Sequence, residues 1–212
     1  MVSHVLFDLD GTLTESGIGI TRSVMYALRQ FGITERDPET LARFIGPPLV
    51  DSFHKYYGFP MEQAELAVKY YREYYSVTGI FENRVYDGVR EMLSALNERG
   101  VGCVLATSKP EHYAVKILDH FDLSSYFTAV CGATMDTSRS KKADVIAYAL
   151  KTVGADPART VMVGDRDQDI LGAKTFGLSA VGVLYGYGSR EELLSAGADA
   201  LAESALDILR FC

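Results

Sequence analysis

The sequence predicts an α/β protein in which a doubly wound, Rossmann-like parallel sheet is interrupted by an inserted all-helical domain. From about residue 85 onwards, short apolar runs of strand length alternate with helical patterns, which is typical of consecutive βαβ units. One more apolar run, residues 5–7, precedes that series and is separated from it by a block without strands. We therefore expect a core domain of residues 1–15 and 83–212 and a helical domain of residues 16–82.

Composition is that of an ordinary globular protein and excludes several classes of partner. With 212 residues, of which 48% are hydrophobic and 23% charged, the chain can bury a large core. The formal net charge of −7 argues against nucleic acid or an anionic membrane as a partner. No apolar run has the length of a membrane span, and no secretory signal pattern precedes Asp8. Three widely spaced cysteines fit free thiols in a reducing compartment, so a cytoplasmic protein is expected. The expected oligomeric state is a monomer or a homodimer.

The first strand ends at two acidic residues. Asp8 and Asp10 follow the apolar run 5–7, and Gly11 then allows the chain to turn. Open α/β sheets carry their chemistry beyond the carboxyl ends of the strands, which is where these acids lie. Two carboxylates so close together repel each other unless a cation or a shared proton lies between them, and Mg²⁺ suits such oxygen ligands. Turn formation and helix capping are the alternative roles of these two acids.

The inserted block predicts consecutive helices. Apolar residues recur at helical spacing, and glycine or proline residues separate the segments. The predicted helices span residues 20–32, 37–45, 50–58 and 61–75. A cluster of tyrosines in this block is interpreted as packing between helices, with a base-stacking pocket as the alternative.

The rest of the chain alternates between strands and helices. The predicted strands span residues 101–106, 128–131, 160–163 and 180–184. The predicted helices span residues 87–99, 140–153 and 170–176, and two more begin at Pro110 and at the capping box from Ser189 to Glu192.

Three loops of this part carry residues that suit a phosphate or a cation. Residues 107–109, Thr-Ser-Lys, precede a helix whose N-terminal N–H groups attract anions, although capping is the alternative role of both hydroxyls. The basic run 138–142 precedes the next helix and is either a solvated turn or an anion site. Asp165 and Asp169 lie four residues apart after a strand, where they can face one ion or cap a helix.

These motifs resemble those of the haloacid dehalogenase superfamily of phosphohydrolases. The segment Asp8-Leu9-Asp10-Gly11-Thr12-Leu13 resembles the first motif, and Gly164-Asp165-x-x-x-Asp169 resembles the fourth. A helical insertion directly after the first motif is similar to the cap of the phosphoglycolate-phosphatase-like branch, and the resemblance covers essentially the whole chain. Dehalogenases lack an acid at the position of Asp10, so the resemblance implies a phosphatase.

The resemblance also implies a role for each motif residue. Asp8 is implied to attack phosphorus and form an aspartyl-phosphate, with Asp10 as general acid and base. Thr107 and Ser108, with Lys109 beside them, match the motif that binds the phosphoryl group. Lys142 is implied to neutralise the phosphate and Asp8, and Lys141 is the alternative in the neighbouring register.

The implied cofactor is Mg²⁺, held by Asp8, the backbone carbonyl of Asp10, Asp165 and Asp169. Arg43 lies in a turn of the insertion that resembles a substrate-facing cap element, so it is expected to bind substrate. The expected partner is a small phosphorylated metabolite, such as phosphoglycolate, a nucleotide or a sugar phosphate. A sugar phosphomutase and a catalytically silent phosphate-binding module are the alternative functions.

Overall fold

The computed structural model describes residues 1 to 212, and the chain divides into two compact units. One unit contains Met1–Glu15 and Val85–Cys212, and the other contains Ser16–Arg84. The helical unit thus ends two residues beyond the position expected from the sequence, residue 82. None of the helices combines the length and the apolar character that crossing a membrane requires.

The first unit is built on a six-stranded sheet. Its strands are β1 (His4–Phe7), β2 (Gly102–Pro110), β3 (Phe127–Ala133), β4 (Thr160–Gly164), β5 (Ser179–Val183) and β6 (Ala200–Ala202). Their order is β3-β2-β1-β4-β5-β6, and every neighbouring pair is parallel. The predicted doubly wound parallel sheet is therefore confirmed. The chain progresses towards one edge up to β3 and towards the other after β4, so the switch point lies beside β1.

Two features of the sheet differ from the prediction. Strand β2 continues to Pro110, so residues 107–109 lie in the strand and not in a loop after it. Strand β6 was not predicted, because the three residues Ala200–Ala202 are too few to show a periodic pattern.

The register of β1 places Asp8 at the carboxyl edge of the sheet. Phe7 is paired with Leu105 of β2 and with Val163 of β4. Asp8, the next residue, donates its backbone N–H to the carbonyl of Val163 at 2.9 Å. By this register Asp8 lies beside Ala106 of β2 and beside Gly164, the last residue of β4.

The second unit consists of α1 (Gly17–Arg29), α2 (Pro38–Ala42), α3 (Leu49–Tyr57) and α4 (Met61–Tyr75), followed by a 3₁₀ turn. Aromatic rings fill its interior: the ring centres of Phe44 and Phe53 lie 4.9 Å apart, and those of Tyr71 and Tyr75 lie 5.2 Å apart. Packing is thus a role of tyrosines in this cluster.

The helices of the first unit are α5 (Val89–Glu98), α6 (Glu111–His120), α7 (Lys142–Val153), α8 (Asp167–Thr175) and α9 (Arg190–Ser195). Helix α7 begins at Lys142 and not at residue 140, and α8 begins three residues before the predicted start at Ile170. The second difference arises because Arg166 and Asp169 form a capping box, which places the acidic residues in the first turn of α8.

Candidate active site

Asp8 and Lys142 form a buried ion pair at the carboxyl edge of the sheet. Asp8 directly follows β1, and Lys142 is the first residue of α7. Asp8 Oδ1 and Lys142 Nζ lie 2.8 Å apart. The same Nζ lies 2.8 Å from Asp169 Oδ1 and donates a hydrogen bond to the carbonyl of Ala106 at 3.1 Å. One ammonium group thus contacts the end of β1, strand β2 and the first turn of α8.

The two adjacent lysines have different surroundings. Lys141 is the exposed N-cap residue of α7, whereas only 4% of Lys142 is exposed. Burial lowers the pKa of Lys142, but the carboxylates of Asp169 and Asp8 outweigh this effect and raise that pKa above its ordinary value. The structure therefore places the ammonium group of Lys142, and not that of Lys141, beside Asp8.

Three carboxylates converge next to this lysine. Oxygens of Asp8, Asp165 and Asp169 lie within 4.8 Å of one another, and Asp165 and Asp169 are 0% and 1% exposed. Burial raises the pKa of Asp165 well above its ordinary range, and the charges of Asp169 and Asp8 raise it further. Burial also raises the pKa of Asp169, to about 6, although Lys142 opposes the rise. Three buried acids thus lie within a few ångströms of one another, and Lys142 contacts two of them.

The donor atoms of this triad fit a hard divalent cation. Asp165 Oδ1 is buried and has no hydrogen-bond partner, although two other carboxylates lie next to it. A site that offers only oxygen ligands, with room for water or a phosphate, is what Mg²⁺ prefers. Asp8, Asp165 and Asp169 are therefore the side chains that would hold the ion. Asp10, expected to contribute its backbone carbonyl, adds no carboxylate to the triad.

Asp169 also caps α8. Its Oδ2 accepts the backbone N–H of Arg166 at 3.0 Å, while its Oδ1 faces Lys142. Capping and charge pairing are thus compatible, because each uses a different oxygen. The carboxylate of Asp167 accepts the backbone N–H of Gln168 at 2.7 Å.

Asp10 is paired with Lys109, which lies near the end of β2. Asp10 Oδ2 and Lys109 Nζ lie 2.6 Å apart, and both residues are buried. Asp10 Oδ1 is buried without a hydrogen-bond partner. The ammonium group of Lys109 thus contacts the second acid of the first motif, and its role in phosphate binding stays a prediction.

Gly11 allows the first motif to approach the fourth. Its φ is +83°, and a Cβ atom at this position would lie 2.1 Å from Asp165 Oδ2. A side chain would therefore collide with the acidic triad, and the left-handed backbone is also costly for any other residue.

The residues predicted to bind the substrate or its phosphate differ in their contacts. The hydroxyl of Ser108 is buried and has no hydrogen-bond partner, so it is available to a ligand oxygen. Thr107 Oγ1 accepts the backbone N–H of Lys109 at 3.2 Å. Arg43 belongs to the helical unit, where its guanidinium carbon lies 5.7 Å from the ring centre of Tyr56. Its role in substrate binding stays a prediction.

The sequence reasoning missed the segment that follows β5. The backbone N–H of Tyr187 donates to Asp165 Oδ2 at 2.8 Å, and the hydroxyl of Tyr185 donates to the carbonyl of Thr12 at 3.0 Å. The alternation Tyr185-Gly186-Tyr187-Gly188 directly after a strand is the signal that could have identified it, since glycines there indicate close backbone approach.

Together these groups suit phosphoryl transfer. The site offers a buried carboxylate as nucleophile, a second carboxylate for proton transfer, a fixed lysine, an unpaired hydroxyl and a cation site. A phosphoryl group carries charge on three oxygens, and fixed cations and donors stabilise that charge during transfer.

Comparison with known proteins agrees with this chemistry. A model of the haloacid dehalogenase-like hydrolase family matches residues 5–183, a span that includes all four motifs. A 5'-nucleotidase of Pseudomonas aeruginosa is 46% identical over 190 residues, which cover 90% of this chain and 86% of that protein. The crystal structure of a predicted phosphatase from Clostridium acetobutylicum has a TM-score of 0.96 at 45% identity, and the match covers 100% of this chain and 98% of the other.

Two further relatives carry different names. The tyrosine-protein kinase PtkA of Mycobacterium tuberculosis is 41% identical over 184 residues, which cover 87% of this chain but only 62% of that protein. A phosphoglycolate phosphatase of Caulobacter vibrioides is 30% identical over 213 residues, which cover 98% of this chain and 90% of that protein. The family match, the motif residues and the phosphatases among its relatives place the chain in the haloacid dehalogenase-like hydrolase family, as an enzyme of the phosphoric monoester hydrolase class.

Proposed function

We propose that this protein is a Mg²⁺-dependent phosphatase that hydrolyses a small phosphomonoester through an aspartyl-phosphate on Asp8. The observation that carries the proposal is the position of the Asp8 carboxylate. It is buried, it lies 2.8 Å from the ammonium group of Lys142, and it belongs to the acidic triad with Asp165 and Asp169.

In the first step, an oxygen of Asp8 attacks phosphorus, and the bond between phosphorus and the leaving oxygen breaks. Asp10 gives its proton to that oxygen, so that an alcohol leaves instead of an alkoxide. Lys142 and the hydroxyl of Ser108 contribute a charge and a hydrogen bond to the phosphoryl oxygens.

In the second step, water attacks the phosphorus of the aspartyl-phosphate. Asp10, now a carboxylate, takes a proton from that water, and the bond between phosphorus and Asp8 breaks. Inorganic phosphate leaves, and Asp8 is regenerated. The ion pair with Lys109 holds Asp10 Oδ2, so Oδ1, which has no partner, is the oxygen that exchanges the proton.

The divalent ion would be held by the side chains of Asp8, Asp165 and Asp169 and by the backbone carbonyl of Asp10. When bound, Mg²⁺ supplies electrostatic screening between the anionic nucleophile and the anionic phosphate. Lys142 provides part of the same screening from the protein itself, because it is fixed between two of the carboxylates.

A nucleoside monophosphate is the first substrate to test. The support is the name of the relative that is 46% identical, a 5'-nucleotidase. Phosphoglycolate is the second, supported by the relative that is 30% identical. The chain spans only 62% of the relative named as a tyrosine-protein kinase, so that name does not point to a substrate of this chain.

The experiment measures phosphate release from nucleoside 5'-monophosphates, phosphoglycolate and sugar phosphates with Mg²⁺ and with a chelator. We expect release from at least one of these substrates with Mg²⁺ and none with the chelator. Asp8→Asn is expected to be inactive and folded, and Asp87→Asn, an exposed acid, is the matched control. Phosphotyrosine formed from ATP, or a rearranged sugar phosphate without phosphate release, would contradict the proposed hydrolysis.

A further inference from the structure

We propose that residues 185–192, which we call the clasp, position the carboxylate of Asp165 and thereby set the affinity of the site for its divalent cation. The clasp follows β5 and includes the first turn of α9. This inference deepens the proposed function and rests on the Mg²⁺ site proposed there. It assigns the clasp a positioning role, since none of its side chains belongs to the acidic triad.

The two oxygens of Asp165 differ in their contacts, because only one of them accepts a hydrogen bond from the clasp. Oδ2 accepts the backbone N–H of Tyr187 at 2.8 Å, whereas Oδ1 is buried and has no hydrogen-bond partner. A hydrogen bond from a backbone amide to a carboxylate is short and directional, so it fixes the orientation of the whole group. Oδ1 is thereby left for a cation, together with Asp8 and Asp169.

Further contacts tie the clasp to both motifs that carry the acids. Glu192 Oε1 accepts the Nε–H of Arg166 at 2.8 Å and the backbone N–H of Asp167 at 3.0 Å. One carboxylate thus holds the two residues that follow Asp165. At the other end of the clasp, the Tyr185 hydroxyl donates to the carbonyl of Thr12, in the first motif, at 3.0 Å.

The clasp can approach Asp165 this closely only because it contains glycine. A Cβ atom at Gly186 would lie 2.3 Å from Asp165 Cβ and 2.4 Å from the carbonyl oxygen of Gly11. A Cβ atom at Gly188 would lie 2.0 Å from the carbonyl oxygen of Asp165. Any side chain at either position would push the clasp away from the carboxylate it holds.

Groups that hydrogen-bond a metal ligand and fix its orientation affect metal affinity, and their loss typically lowers that affinity about 10–100-fold. The experiment therefore measures binding of Mn²⁺ to the metal-free full chain, from the electron paramagnetic resonance signal of free Mn²⁺, with Mg²⁺ as competitor. The variants are Glu192→Ala, Gly186→Ala and Tyr185→Phe. Glu191→Ala is the matched control, because Glu191 is the exposed neighbour of Glu192 on α9.

We expect Glu192→Ala and Gly186→Ala to weaken Mn²⁺ binding by about 10-fold or more, and Tyr185→Phe by less, while Glu191→Ala binds like wild type. Thermal melting of the metal-free proteins shows whether each variant is folded. Folded variants with wild-type affinity would overturn the proposal, as would a variant that loses metal-free stability and keeps its affinity. If Gly186→Ala does not fold, the Mn²⁺ affinity of Glu192→Ala tests the proposal. A wild-type protein that binds no Mn²⁺ would instead contradict the metal site of the proposed function.

Discussion

Lys109 and Asp10 form a buried ion pair, in which Nζ and Oδ2 lie 2.6 Å apart. The pair occupies one oxygen of Asp10 and leaves the other without a hydrogen-bond partner. An acid that must give and take a proton at a defined point benefits from such an arrangement, because its orientation is fixed while one oxygen stays available. Lys109 thus contacts the proposed acid and base, and its role in phosphate binding stays a prediction.

Replacing Lys109 distinguishes these two roles. We expect Lys109→Met to lower kcat by about 10-fold and to leave KM nearly unchanged. This loss in kcat is part of the roughly 10²–10⁴-fold rate increase that a positioned acid and base contributes. The measurement is steady-state kinetics on the best phosphomonoester. Lys116→Met, an exposed lysine of α6, is the control. A raised KM with unchanged kcat would show that Lys109 binds the phosphate.

Asp10→Asn should separate the two steps of the reaction. An aryl phosphate has a good leaving group and needs little protonation, so attack by Asp8 can still occur. Hydrolysis of the aspartyl-phosphate still needs a base, so we expect the phosphorylated protein to accumulate. Intact-mass spectrometry after mixing with 4-nitrophenyl phosphate would show one added phosphoryl group. Full turnover by this variant would exclude Asp10 as the acid and base.

The two lysines at the start of α7 should differ in their effect on catalysis. Lys142→Ala removes the ammonium group that contacts Asp8, so we expect catalytic efficiency to fall by about 2–4 kcal/mol, as for other single charge-stabilising groups. Lys141→Ala removes only an exposed side chain and should have little effect. Both variants are compared by kcat/KM, and circular dichroism confirms that they are folded. The reverse order of effects would assign the role to Lys141.

Burial of Asp165 and Asp169 predicts a pH-dependent stabilisation by Mg²⁺. In the metal-free protein burial raises the pKa of both acids, that of Asp169 to about 6, above the unfolded value. The native state then binds more protons than the unfolded state between about pH 4 and pH 6, so metal-free stability falls as pH rises through that range. Mg²⁺ competes with those protons for the carboxylates and should therefore bind more strongly above about pH 6.

Thermal melting measures this linkage. A Mg²⁺ concentration of about 100 times Kd should stabilise the native state by about 2.7 kcal/mol. We expect the rise in Tm to be large at about pH 7.5 and small at about pH 5. Ca²⁺ and Na⁺ at equal ionic strength are the controls. An equal rise at both values of pH would mean that the ion binds elsewhere.

The sequence predicts the fold and the acidic motifs because their signals are local. The run before Asp8 and the spacing of Asp165 and Asp169 are visible along the chain, and parallel strands bring both to one edge of the sheet. Hydrophobic periodicity also gives the bounds of α4 without error, since this helix is long and periodic.

Other parts of the site depend on contacts between distant segments. The ion pair of Lys109 and Asp10 joins β2 to the first motif. The residues around a lysine on a strand do not indicate which acid that lysine will contact. The hydrogen bond from Tyr187 to Asp165 joins the segment after β5 to the turn after β4. Both contacts join residues on or after strands that lie side by side in the sheet, so only the assembled sheet reveals them.

The proposed mechanism is tested most directly by detecting the phosphoryl group on Asp8 during turnover. The enzyme is mixed rapidly with Mg²⁺ and its best phosphomonoester, quenched in acid, digested and analysed by tandem mass spectrometry. We expect a phosphorylated Asp8 that forms and decays at rates compatible with kcat, and no such peptide in inactive Asp8→Asn. Rapid turnover without phosphorylation of Asp8, or an Asp8→Asn protein that retains activity, would contradict it.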